Sequence, residues 1–170
     1  MKPNAIVYTS NAGHTAEYAH LLGKKTNLPV YSLAEAKTRL PAGNDIIYLG
    51  WLMAGKVKAY AAAAKRYHIC ALCPVGMAAA GTQLEDVRKN NSVSETLPVF
   101  TLQGGFEIEK LSGIYKLMMT VMTKTAGKSL ADKAERTPEE DDMLDMLLHG
   151  GSRVSPEGLE DVLNWYRTAE

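Results

Sequence analysis

The sequence predicts an α/β protein: parallel strands in a five-stranded, doubly wound sheet with helices on both faces. Two observations carry this prediction, and a third marks the edge where a ligand would sit. Apolar, β-rich runs recur along the chain, nearly continuous rather than alternating, as strands covered on both faces are. Helix-like segments separate them at the spacing of βαβ crossovers, which close right-handed and leave the strands parallel. Glycines and small or hydroxyl residues gather where strands end.

In chain order, strands are expected at 4–9 ("NAIVYT"), 28–33 ("LPVYSL"), 45–51 ("DIIYLGW"), 68–75 ("HICALCPV") and 97–103 ("LPVFTLQ"). Helices are expected at 14–24, 33–39, 56–67 with its alanine run, and 82–91. After the fifth strand the rhythm changes. The segment 107–125 reads as a helix with apolar residues around most of its circumference. In "TPEEDDMLDMLLHGG", Thr137 suits an N-cap, Pro138 the first helical position and Glu140 the reciprocal capping position, with Gly150 and Gly151 closing the helix. A last helix opens at Ser155-Pro156, and Leu159, Val162, Leu163 and Tyr166 share one of its faces. The chain thus reads as one domain over 1–170, with a helical insertion at about 107–150 between the fifth strand and the closing helix.

Composition narrows the function classes. Lys+Arg and Asp+Glu both number 19, for a formal net charge of zero. Nucleic acid is therefore not the expected partner, because binding to a phosphate backbone needs a basic surplus or stripe. The first residues hold no apolar segment of signal-peptide length, and no run of 18 apolar residues occurs, so the expected location is the cytoplasm. The two cysteines, Cys70 and Cys73, fall within a predicted strand, where residues three apart face opposite sides. A reactive C-x-x-C needs a helix N-terminus to lower a thiol pKa, so two inert, buried thiols are expected.

The strand ends carry the functional signal. Ser10-Asn11-Ala12-Gly13-His14-Thr15 follows the first strand. Small residues there let successive N–H groups and a helix N-terminus converge on an anion, and the hydroxyls of Thr9, Ser10 and Thr15 add donors. The same residues would also serve as a plain capping turn. After the third strand comes "GWLMAGK", in which Gly50, Gly55 and Lys56 nearly match a nucleotide P-loop. Val57 stands where that motif needs a hydroxyl to hold magnesium, which argues against NTPase chemistry. Trp51, Leu52 and Met53 suit the wall of a flat ring, or else simply cover the sheet end. Val75, Gly76 and Met77 leave backbone groups open after the fourth strand, and Gly104 and Gly105 permit close approach after the fifth.

Taken together, these residues resemble the flavodoxin family. Its phosphate loop reads roughly [ST]-x-T-G-x-T, and "SNAGHT" matches at Ser10, Gly13 and Thr15, with Ala12 where the pattern has threonine. The likeness covers roughly residues 1–106 and 155–168. It implies a strand order of 2-1-3-4-5 and noncovalent FMN. On that reading Thr9, Ser10, Asn11, Ala12, Gly13, His14 and Thr15 hold the phosphate, while Gly50, Trp51, Leu52, Met53, Val75, Gly76 and Met77 bound the ring. Ala12 would forgo one hydroxyl contact. Within the family, "QGGFEIEKLSGIYKLMMTVMTKTAGK" is similar in place and texture to the insertion of the menaquinone-dependent protoporphyrinogen oxidases. That likeness implies a flavin oxidoreductase acting on a quinone, a porphyrinogen or a similar organic substrate. An electron carrier to a protein partner and a flavin-poor interaction module are the alternatives. Flavodoxin carriers are usually acidic, and the neutral charge here favours the enzyme.

The insertion must also be covered. Five of the eight methionines lie in it, and Leu111, Ile114, Tyr115, Leu117, Met118, Val121 and Met122 exceed what one helix face can bury. The expected cover is the second insertion helix, through Leu144, Leu147 and Leu148, or a second subunit. A peripheral membrane contact through 107–125, with Lys110, Lys116, Lys124 and Lys128 toward anionic headgroups, is the alternative.

Overall fold

In the computed structural model, which describes residues 2–111 and 113–169, strand β1 spans Ala5–Thr9, followed by α1 (His14–Thr26), β2 (Val30–Ser32) and α2 (Leu33–Arg39). β3 runs Asp45–Met53, β4 is Lys56–Val57, α3 is Tyr60–Ala64 and β5 is His68–Gly76. Next come α4 (Leu84–Asn91), β6 (Leu102–Gln103) and β7 (Gly105–Phe106). A 3-10 turn at Ile108–Lys110 precedes α5 (Gly113–Ala131) and α6 (Pro138–His149). β8 (Gly151–Ser152), a 3-10 turn at Glu157–Leu159 and α7 (Glu160–Thr168) follow.

The protein is α/β, with a mostly parallel central sheet flanked by helices. The sheet runs β2-β1-β3-β5-β6, all parallel, and β4 folds back antiparallel on the end of β3. β7 and β8 form a separate antiparallel pair. Apolar residues continue along each strand because both faces are buried. Ala5 and Val7 pack in one layer with Leu33, Ala36 and Ala63, whereas Ile6 packs in the other with Tyr18, Leu22 and Val162.

Several elements depart from the periodicity. Lys56 and Val57 form β4 instead of opening a helix, because Ala54 (φ 49°) and Gly55 (φ 74°) turn the chain back in two residues. α3 therefore begins only at Tyr60. The run 97–103 pairs as a regular strand only at Leu102–Gln103, with a single bridge from Val99 to Leu72. Within 107–125 the helix proper starts at Gly113, after the 3-10 turn, and continues to Ala131; Ser112 lies outside the described residues.

The β3–β5 register breaks at one point. Ile46 pairs with Ile69 but Ile47 pairs with Ala71, so Cys70 is the extra residue of a β-bulge. Ile69 accordingly packs in one layer and Ala71 in the other. Both thiols are buried. Burial pushes Cys70 up to about 11, with the Asp45 charge adding to it, and raises Cys73 further still.

The insertion is held by a third, smaller core. Phe106, Met146 and Leu147 are buried there, against Leu111, Met119, Ala126 and Leu130. The capping box at Thr137 and Glu140 starts α6, with Pro138 in its first turn. Arg153 donates to Asp142 at 2.9 Å and to Asp145 at 2.7 Å, and Gln103 Nε2 donates to Asp142 at 2.7 Å, fastening α6 to the end of β6. This cover is less complete than the sequence suggests. Leu148 is exposed, and Ile114 (67%), Leu117 (65%), Met118, Val121 and Met122 form an open stripe along α5. Among the described residues, no helix is long and apolar enough to cross a membrane.

Candidate functional site

A cleft opens beyond the carboxyl ends of β1, β3 and β5, where an open parallel sheet offers its loops to a ligand. Asn11, Ala12, His14 and Thr15 line one side of it. Trp51, Leu52 and Met53 come from the end of β3, and Val75, Gly76 and Met77 from the end of β5. The segment Gly104–Glu107 closes the floor, and Leu111, Tyr115 and Met119 lie across the mouth.

The anion end is built from backbone. Gly13 caps α1 with φ at +103°, and no side chain caps the helix. Ser10 Oγ accepts the Gly13 amide at 3.2 Å. Among the described residues, the amides of Asn11, Ala12, His14 and Thr15 find no acceptor in the protein. Thr15 is a buried residue that lines the cleft. Free amides at the positive end of a 13-residue helix form a site for negative charge.

His14 is 7% exposed and sits beneath Gly104. A Cβ on Gly104 would fall 2.7 Å from Val75 Cγ1 and 3.2 Å from His14 Cβ, so only glycine lets the strands and the imidazole approach this closely. His14 Nε2 is 3.0 Å from Glu107 Oε2, but the approach is bent away from hydrogen-bond geometry, which leaves a buried nitrogen without a partner. Lys110 Nζ donates to the same carboxylate oxygen at 2.7 Å. That hydrogen bond, helped by the charges of Lys110 and His14, holds the Glu107 carboxyl below its usual range.

The apolar end is closed by aromatic contacts. Trp51 and Tyr115 meet edge-on, with centroids 5.5 Å apart and planes at 85°. Lys58 Nζ lies 5.7 Å from the Trp51 centroid and 5.8 Å from that of Tyr115, and it donates to the Tyr115 hydroxyl at 3.2 Å. The cleft is open to solvent, with a cavity volume of about 100 Å³ over its whole length.

Of the fourteen residues that the flavodoxin resemblance assigns to the cofactor, ten line this cleft: Asn11, Ala12, His14, Thr15, Trp51, Leu52, Met53, Val75, Gly76 and Met77. Four do not. Thr9 Oγ1 is 3.1 Å from the Tyr48 hydroxyl and donates to the Lys58 carbonyl at 3.1 Å. Ser10 and Gly13 shape the loop from behind, and Gly50 is buried within β3 beneath Val57. The sequence reading leaves out Phe106, Glu107, Leu111, Tyr115 and Met119, which the insertion brings to the cleft. The signal available for them was position, since the insertion begins at the end of a strand that meets the site.

The lining contains neither cysteine nor serine, and its titratable groups are His14, Glu107 and Tyr115. In comparisons with known proteins, no family model matches the chain, and neither a curated protein nor a solved structure does.

Proposed function

We propose that the protein is a flavodoxin-like FMN protein, and that it serves as an oxidoreductase toward a quinone, a porphyrinogen or a similar organic substrate. One observation carries the reading. The uncapped start of α1, with its unpartnered amides and the positive φ of Gly13, opens onto the same cleft as Trp51. The parallel order β2-β1-β3-β5-β6, centred on β1 and β3, supports it.

The residues present fit the cofactor at its charged end. Four amides and the Thr15 hydroxyl supply the donors a phosphomonoester needs, without any metal. Ala12 contributes its amide alone. At the apolar end, Tyr115 stands edge-on against Trp51. In this reading Trp51, Met53 and Met77 would bound the ring, with Tyr115 moved from its edge contact with Trp51. Bound FMN supplies two-electron redox chemistry, and the chain holds it, excludes water and orients the substrate. His14 and Glu107 are the groups able to hold or move a proton beside it. The open stripe on α5, close to Tyr115, is the surface for a second subunit or a membrane-borne substrate.

The test is identification of whatever chromophore copurifies with the native chain, by absorbance and mass spectrometry. Stoichiometric FMN supports the reading. Colourless protein that takes up no added FMN would end the proposal.

A further inference from the structure

At the opposite end of the sheet, where β3 and β5 begin, three side chains of different chemistry converge. Asp45 opens β3 and His68 opens β5, and the parallel register sets them side by side. Cys70 stands two residues on, at the bulge, where the extra residue re-aims a side chain. His68 Nδ1 is 2.7 Å from Asp45 Oδ1, and Cys70 Sγ is 3.7 Å from the first and 3.9 Å from the second. The three donor atoms all lie within 4.8 Å of one another. None of these residues belongs to the cleft.

A thiolate, an imidazole nitrogen and a carboxylate oxygen form the ligand set of a borderline divalent cation. Zinc bonds of about 2.0–2.3 Å at tetrahedral angles put neighbouring ligand atoms roughly 3.3–3.6 Å apart. Both edges to the Cys70 sulfur are within a few tenths of an ångström of that range. The short nitrogen–oxygen edge is a hydrogen bond, with a proton where the metal would sit. Widening it needs only a turn of the His68 ring, whose side chain is 50% exposed. Asp45 and Cys70 are less free, the first tied to the start of β3 and the second buried.

We propose that Asp45, His68 and Cys70 form a three-ligand site for a zinc-like divalent cation. His68 and Cys70 border an open groove, together with Tyr67, Ser94, Thr96 and Trp165. On binding, the Cys70 S–H bond breaks, its proton passes to water and a sulfur–metal bond forms. The proton between Nδ1 and Asp45 passes by way of water to Nε2, Nδ1 coordinates through the lone pair this frees, and Asp45 gives one oxygen. Two anionic ligands neutralise the divalent ion, which suits a partly buried site. A single oxygen and a sulfur exclude magnesium and calcium, which need several oxygens. The ion ties the start of β3 to the start of β5 and stabilises the fold by mass action.

The experiment is a cobalt(II) titration of the chelator-stripped full chain, read as difference spectra, with zinc(II) as competitor. One cobalt per chain is expected, with a thiolate-to-metal charge-transfer band that one equivalent of zinc removes. Cys70→Ala abolishes that band. His68→Gln, at a half-exposed position, weakens zinc at least tenfold and lowers the urea midpoint of the metal-free protein by no more than the loss of its one hydrogen bond to Asp45. Three results overturn the proposal: no charge-transfer band in the parent protein, a band that survives Cys70→Ala, or equal zinc affinity in His68→Gln. The last would leave His68 and Asp45 as an ordinary hydrogen-bonded pair.

Discussion

Substituting Gly13 acts on the cleft through the backbone alone. A Cβ built there meets no heavy atom within 4 Å, so Gly13→Ala loses no packing and creates no clash. What it meets is the φ of +103°. An L-residue in left-handed backbone costs about 1–2 kcal/mol, and that cost falls in one of two places. If the loop keeps its shape, the chain unfolds about 1–2 kcal/mol more easily and the cleft still binds. If the loop relaxes to negative φ, the amides from Ala12 to Thr15 turn away from the cleft. Binding must then restore them, and affinity for FMN falls about 5- to 30-fold, at 1.4 kcal/mol per decade. Valine, stiff at χ1, forces the second outcome, and FMN no longer copurifies. Urea unfolding and an FMN titration followed by Trp51 fluorescence, run on both variants, separate the two terms. A Gly13→Val protein with the parent's midpoint and a full complement of FMN would refute the reasoning.

Other perturbations test neighbouring links. Tyr115→Ala removes an edge contact with Trp51 worth about 0.5–1.5 kcal/mol, which a ring must displace; FMN should bind about two- to tenfold more tightly, and weaker binding would show that Tyr115 belongs to the bound site. Tyr18 donates from a buried hydroxyl to the Gln103 carbonyl at 2.8 Å. Tyr18→Phe strands that acceptor and should lower stability by about 1–2 kcal/mol at unchanged m-value, against no shift in midpoint if water replaces the bond. The carboxyls of Glu107, Glu140 and Glu157 are held below their ordinary 4.5, chiefly by hydrogen bonds from Lys110, from Lys133, and from the backbone at the Glu157 turn itself. Because the unfolded chain binds these protons first, their contribution is complete above pH 4.5 and is lost as pH falls below it. Urea midpoints should therefore drop from pH 5 to pH 3, and a flat profile there would contradict the assignment.

The strands β1, β3 and β5 are legible in the sequence because burial on both faces leaves an unbroken apolar run, as with Ala5, Ile6 and Val7. β4 is not legible. Its hairpin depends on left-handed backbone at Ala54, a residue that does not advertise it, and the alanines that follow pull the reading toward helix. The bulge at Cys70 leaves no compositional mark, since a one-residue register break changes pairing without changing residue type. In the cleft, the small residues after β1 can be read directly, because they are out of place in a plain strand or helix, and Trp51 because it stands at the carboxyl end of the β3 run. Leu111, Tyr115 and Met119 cannot. Apolar side chains surround α5, so periodicity does not say which side meets the cleft and which, with Ile114 and Leu117, is left open.

The central claim is that the turn from Ser10 to Thr15 holds a phosphate. Parallel titrations of flavin-free protein with FMN and with riboflavin, which share a ring and differ in the phosphate, measure it directly. The account predicts FMN binding at least about tenfold tighter, the worth of one charge-assisted hydrogen bond, with inorganic phosphate competing. Equal affinities for the two flavins, or no binding of either, would contradict it.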